Sequence, residues 1–321
     1  MIIKAEIHCH IEGAAHPDLA NRLARKHGIS LDGVVEDNRY VWDDFTTFLN
    51  CYDRASSVFR TAEDYRLLAY DVMRRMAEDG AIYGEVFTSS DHAAAQGLAY
   101  DDMIEAVDAG MADAEADFGI VGRCIATCVR HLGPEAAEAV ARLIVSNPHP
   151  RVTGFGMGGD ERAFAPEDFA PAYAIAGDAG LGLTAHAGEF AGPQSVTDCL
   201  DHLGVTRIGH GVRSIEDPAL VERLAEDGIV LEVCPGSNIS LGVYPDQAAH
   251  PLRKLFDAGV PVTLSSDDPP YFDTTLAAEY EIAARDHGFS EDELLACTRV
   301  ALEAAFVDEP TRRRLLERLD D

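Results

Sequence analysis

The stretch Ala5-Glu6-Ile7-His8-Cys9-His10-Ile11-Glu12-Gly13 decides how the rest of the chain is read. Strand-forming Ile2, Ile3 and Ile7 surround its start, and alternate residues of a strand point to one side, so His8 and His10 can grip one metal ion. Alone, such a pair could equally be solvated or satisfied by backbone groups. Three further clusters shift that balance: His186-Ala187-Gly188-Glu189, Gly209-His210-Gly211 and Ser265-Ser266-Asp267-Asp268. Each follows a short apolar run that reads as a strand.

Working outward, β-rich runs recur near residues 3–9, 81–88, 120–127, 151–156, 181–186, 206–209, 229–233 and 260–265. Segments with helical apolar spacing separate most of them, for example Pro134 to Val145, Pro166 to Ala179, Asp217 to Glu226 and His250 to Ala258. Eight strands alternating with helices predict an α/β fold, a single (β/α)8 TIM barrel spanning residues 1–321. The connection at about 11–80 is far longer than one crossover helix requires, which predicts a helical insertion after the first strand. It carries Trp42, Phe45, Phe48, Tyr52 and Phe59, either packing residues within helices or, for one or two of them, contacts to a ligand.

Composition narrows the partners. A formal net charge of −30 over 321 residues repels phosphate backbones and anionic membranes, so neither nucleic acid nor a membrane is expected as a partner. A small neutral or cationic molecule suits this field better, and nothing in the sequence indicates a homo-oligomer. Lysine is confined to Lys4, Lys26 and Lys254, a pattern equally compatible with salt adaptation and with a GC-rich genome. The seven cysteines lack zinc-ribbon spacing and the density of a disulfide scaffold, which predicts free thiols. With neither a signal-like opening nor a bilayer-length apolar run, the expected location is cytoplasmic.

In a barrel the C-terminal strand ends converge on one cavity, so His8, His10, His186, His210 and Asp267 could surround a single centre. Histidine and carboxylate ligands with one position left for water make a Lewis acid that activates water near neutral pH, so the expected chemistry is hydrolytic. Two-metal hydrolases on such barrels often use a carboxylated lysine on the fourth strand. Residues 151–161, Arg-Val-Thr-Gly-Phe-Gly-Met-Gly-Gly-Asp-Glu, contain none. One metal per chain is expected, with zinc favoured by the nitrogen-rich set and iron or cobalt as alternatives.

At this point the chain resembles the adenosine/adenine deaminase branch of the metal-dependent amidohydrolases. The resemblance runs through His8-Cys9-His10-Ile11-Glu12-Gly13, Gly158-Gly159-Asp160-Glu161, Thr184-Ala185-His186-Ala187-Gly188-Glu189 and Arg207-Ile208-Gly209-His210-Gly211. It continues through Cys234-Pro235-Gly236-Ser237-Asn238 and Ser266-Asp267-Asp268-Pro269. The resemblance implies that His8, His10, His186 and Asp267 hold zinc and that Glu189 lies against N1 of a purine. It also implies that His210 orients or deprotonates the attacking water, that Asp268 meets N7, and that the Gly159 N–H meets N3. Water adding to C6 would put electron density on the ring, so a protonated Glu189, its pKa raised by burial, could protonate N1 while ammonia leaves. Each residue also has a plainer reading: a helix start for Glu189, a cap for Asp268, a turn for Gly159.

The substrate expected on this resemblance is adenosine, with free adenine as the alternative. Glu12 stands where adenosine-specific members commonly carry Asp, and its length could fill the sugar's space. Gly236 leaves room and argues the other way. Asp160 and Glu161 place negative charge near the glycine turn and disfavour a phosphorylated substrate. Two readings of other kinds stay open: a barrel that binds a metal or purine without turnover, and an amidohydrolase acting on a pyrimidine or pterin. Keeping both Glu189 and His210 argues against the first, since a binding protein needs no proton donor.

Overall fold

The structure, a computed structural model, describes residues 2–320. Each of the eight predicted runs overlaps a strand: β1 (Lys4–Glu6), β2 (Ala81–Thr88), β3 (Val121–Val129), β4 (Val152–Gly158), β5 (Gly182–Ala187), β6 (Arg207–His210), β7 (Val230–Val233) and β8 (Val262–Leu264). They form one sheet in chain order with every neighbouring pair parallel, the β/α barrel expected from the alternation.

β1 is shorter than the predicted 3–9 for a reason that matters to the site. Beyond Glu6 the backbone stops running in an even ladder and stitches the barrel shut. The Asp267 N–H donates to the His8 carbonyl (2.9 Å) and the His10 N–H to the Asp267 carbonyl (3.1 Å), while Cys9 and Asp267 form a parallel bridge. On the other side, Phe87 N–H donates to the Cys9 carbonyl (2.8 Å) and Ile11 N–H to the Phe87 carbonyl (3.0 Å). The first and last strand ends are thereby locked at the level of His8, His10 and Asp267.

Residues 11–80 contain α1 (Pro17–His27), α2 (Phe45–Ser56) and α3 (Ala62–Glu78), and also a hairpin, Val35–Glu36 paired with Arg39–Tyr40, that the apolar spacing does not reveal. Its turn is Asp37-Asn38, both at positive φ (48° and 61°), a conformation these two residue types tolerate. Capping boxes start α2 (Asp44 with Thr47) and α3 (Thr61 with Asp64). Trp42 packs against Phe48 and Phe272, with ring centroids 5.6 and 5.9 Å apart, which holds the start of α2 over the C-terminal mouth of the barrel.

The four helices named from sequence appear as Pro134–Ser146, Ala170–Asp178, Pro218–Glu226 and Leu252–Asp257. The second is preceded by a 3-10 turn at Pro166–Phe169 rather than continuing it, because Pro171 can occupy only the first turn of an α-helix. All seven cysteines are unpaired and buried. Among the described residues no helix is long and apolar enough to cross a membrane.

The barrel interior carries a charged layer below the mouth. Arg207 on β6, almost wholly buried, lies 2.7 Å from Glu85 on β2 and 2.6 Å from Glu232 on β7, with Phe306 stacked over its guanidinium. An unpaired charge here would cost several kcal/mol, so each member requires the others.

Candidate active site

His8 and His10 just beyond β1, His186 on β5 and Asp267 beyond β8 bring one ligand atom each to within 4.8 Å of one another. His10 Nε2 lies 3.1 Å from His186 Nε2 and 3.5 Å from Asp267 Oδ1; His8 Nε2 lies 3.7 Å from that same oxygen. The donor set fits a cation. His8 Nδ1 faces Glu232 Oε2 at 2.6 Å, so that nitrogen carries the proton and Nε2 points its lone pair into the cluster. His8 Nε2 is buried with no hydrogen-bond partner, an orphan that a metal would satisfy. Three imidazoles and a carboxylate with these spacings could hold one divalent ion. His210 falls outside this foursome, and its nearest carboxylates are Glu189 (3.8 Å) and Asp267 (3.9 Å).

Asp267 (φ 62°) and His210 (φ 61°) both occupy the left-handed region, which a non-glycine residue holds only when its surroundings impose it. For Asp267 the imposing bonds are the two backbone links to His8 and His10 and the Ser237 hydroxyl, which donates to Oδ2 at 2.6 Å and leaves Oδ1 for the histidines. Glu6 ties the same corner from beneath. One of its oxygens accepts from the His8 N–H (2.9 Å), the other from the Ser266 N–H (2.9 Å) and hydroxyl (2.6 Å).

Glu189 is buried beside the cluster, and that burial, with Asp267 and Glu161 nearby, pushes its carboxyl well above the ordinary range. Its backbone is held by Glu161, which accepts from the N–H groups of Gly188, Glu189 (3.1 Å), Phe190 (2.7 Å) and Ala191 (2.9 Å) and from the Ser195 hydroxyl (2.8 Å). Glu161 is therefore buried and holds the 188–191 turn, while its charge still acts on Glu189. Asp160, by contrast, is paired with Arg162 at 2.8 Å, which corrects its reading as a free charge.

A narrow cavity opens over the cluster, walled by Glu12, Phe45, Phe48, Tyr52, Gly159 and Asp268 among others, with His10, His186, Glu189, His210 and Asp267 at its base. Of the insertion's aromatics, Phe45, Phe48 and Tyr52 reach it, while Trp42 and Phe59 do not line it. Asp268 is buried with Oδ1 unpartnered, and burial beside Asp267, Glu189 and Glu12 drives its carboxyl toward the protonated form. Gly159 has φ +98°, and a Cβ there would come within 2.9 Å of His131 Nδ1, so both backbone and space call for glycine. Gly236 is the second correction. It does not line the cavity; its N–H donates to Glu279 (2.9 Å), and its lack of a side chain makes room for that carboxylate, not for a sugar. A larger cleft of about 870 Å³ at the opposite end, bordered by Phe306 and Arg312, gathers none of these residues.

Glu12 is buried between two phenols, with Tyr52 OH at 3.4 Å from one oxygen and Tyr65 OH at 3.2 Å from the other. Burial raises its pKa. Glu6 and Glu232 are not identified in the sequence as parts of the site, and Ser237 and Asn238 enter there only as members of the 234–238 motif, without a role. Glu232 had a visible signal, a lone charge inside the apolar run Ile229-Val230-Leu231-Glu232-Val233. Such a residue in a buried strand needs a partner.

Comparison with known proteins places this geometry among relatives. The family model described as adenosine deaminase matches residues 3–321. The adenine deaminase of Sinorhizobium medicae is 56% identical over 316 residues, covering 98% of each chain, and that of Chelativorans sp. is 54% identical over 319 residues, covering 99% of this chain and 98% of the other. Among solved structures, the adenine deaminase of Arthrobacter aurescens superposes with a TM-score of 0.94 at 30% identity, covering 100% of this chain and 98% of that one. An amidohydrolase from Burkholderia ambifaria with bound Zn gives 0.90 at 28% identity, covering 99% and 90%.

Proposed function

The chain belongs to the adenosine deaminase family and is a hydrolase acting on the C–N bond of a cyclic amidine, and we propose that its substrate is free adenine, converted to hypoxanthine and ammonia. The observation that carries the choice is the 52–56% identity over essentially the full chain to relatives named adenine deaminase. This reverses the order drawn from sequence, which put adenosine first. Glu12 supplies a physical reason: both its oxygens are engaged by Tyr52 and Tyr65, so its long side chain occupies the wall and offers a ribose hydroxyl little.

In this reading His8, His10, His186 and Asp267 hold one zinc ion, a choice favoured by the nitrogen-rich donor set and by the Zn-bound amidohydrolase of the same fold. Zinc so held would supply Lewis acidity toward a water molecule. The chain's own groups do the rest. Glu189, whose protonated form burial favours, gives its proton to ring N1 as water adds to C6, so charge does not build on the ring; of the water's two protons, one leaves with the amino group as ammonia and the other restores Glu189. Asp268, whose protonated form burial likewise favours, donates to N7 and sets the ring's orientation, and the Gly159 N–H faces N3. Phe45 and Phe48 cover the base and exclude bulk water.

The test is ammonia release by the zinc-reconstituted protein from adenine and adenosine in parallel. A kcat/KM for adenine higher by tenfold or more is expected; equal values or a preference for adenosine would reject the substrate reading. Absence of release from either would leave the non-catalytic binding barrel as the better account.

A further inference from the structure

The hydrogen bonds behind His210 can run in only one direction. The Leu252 N–H donates to His250 Nδ1 (3.2 Å), His250 Nε2 lies 3.0 Å from Asn238 Oδ1, and Asn238 Nδ2 lies 3.2 Å from His210 Nδ1. His210, Asn238, His250 and Leu252 are all buried, so no solvent interrupts the chain of bonds. Its first link sets the polarity. A backbone N–H can only donate, so His250 Nδ1 accepts and the neutral ring carries its proton on Nε2. That proton goes to the Asn238 carbonyl oxygen, which turns the amide NH2 toward His210. An NH2 can only donate, so His210 Nδ1 accepts, and the His210 proton stands on Nε2. Turning the Asn238 amide over would give His250 an incoming donor on both nitrogens and leave it an imidazolate. Burial, with His287 nearby, pushes the pKa of His250 down to about 3 and keeps the ring neutral.

We propose that the Leu252–His250–Asn238 chain locks His210 as the Nε2–H tautomer, so that His210 enters the cavity as a hydrogen-bond donor and not as a base. Asn238 and His250 are then positioning residues. His210 Nε2 lies between Glu189 Oε1 (3.8 Å) and Asp267 Oδ2 (3.9 Å), at the base of the cavity where water would attack. From there its N–H can orient the water's oxygen and steady negative charge on it, the work of an oxyanion-hole donor. In this tautomer it has no lone pair on Nε2 to take the water's proton. The role in turnover rests on the deaminase reading; the tautomer does not.

The experiment is a long-range 1H–15N correlation spectrum of the zinc-reconstituted protein labelled with 15N-histidine, with the His210 signals identified by their loss in His210→Gln. Expected at neutral pH is an unprotonated Nδ1 and a protonated Nε2. Asn238→Asp puts a carboxylate, which only accepts, against His210 Nδ1, so the two nitrogens should exchange states while the circular dichroism spectrum is kept. In that variant kcat should fall on the order of 10²-fold, the cost of one such donor, with little change in KM. A wild-type His210 protonated on Nδ1 would overturn the proposal, with no need for any variant to fold. The expected spectrum in a protein that does not turn over adenine would support the tautomer and count against the deaminase reading alone.

Discussion

His8 Nδ1 stands 2.6 Å from Glu232 Oε2, and neither side chain has any exposed surface. The carboxylate fixes which imidazole nitrogen faces the cluster and raises its basicity, and Arg207 in turn compensates the carboxylate. Glu232→Gln should therefore weaken metal affinity about 10–100-fold without touching a ligand. Competition against a chelator of known affinity measures this, and unchanged affinity would remove Glu232 from the metal site.

Glu189→Gln should leave metal content intact, since Glu189 is not among the four clustered residues. Turnover should fall by about 10²–10⁴-fold, the usual worth of general acid catalysis. Metal analysis alongside steady-state kinetics separates the two quantities, and near-wild-type kcat would strip Glu189 of its proposed role.

Glu161→Gln should damage stability and turnover together. Four backbone N–H groups and one hydroxyl converge on its two oxygens, and an amide NH2 placed among them would face donors with a donor. A loss on the order of 3 kcal/mol is expected, with kcat reduced because Glu189 rides on the same turn. Thermal denaturation checks it: an unshifted Tm would mean that the 188–191 turn holds itself.

Glu279 predicts a pH dependence. Burial raises its pKa from 4.5 to about 8, against bonds from Thr274 and the Gly236 N–H that favour the charged form. Between those two values the folded protein keeps a proton that the unfolded chain has released, so this group's contribution to stability falls as pH rises across that window. Glu279→Gln, which mimics the neutral acid, should flatten that decline by up to a few kcal/mol. Urea unfolding at a series of pH values measures the slope, and parallel slopes in variant and wild type would contradict the assignment.

The fold was legible because its signal is local and repeated. Strands announce themselves by apolar runs and several of the helices by periodicity, and the polar residues stand where such runs end, as at His186 after Leu181-Gly182-Leu183-Thr184-Ala185. The hairpin at 35–40 was not, since two-residue strands carry no period. For the same local reason Gly236 was misread: its smallness is plain in the sequence, but which neighbour uses the space is not.

The sequence alone determined the alternation of strands and helices, the free cysteines and the five polar residues at strand ends, His8, His10, His186, His210 and Asp267, because these rest on residue type and on the apolar run before each; the choice of four of them, without His210, came from the family resemblance. Tertiary structure decided everything that depends on which remote groups share a buried volume: the pairing of His8 with Glu232 across 224 positions, the sequestering of Glu161, and the clamping of Glu12 by two tyrosines. Hydrogen-bond direction and protonation are set by neighbours within about 3 Å in a medium without water, and the chain supplies those neighbours only once it has closed into a barrel.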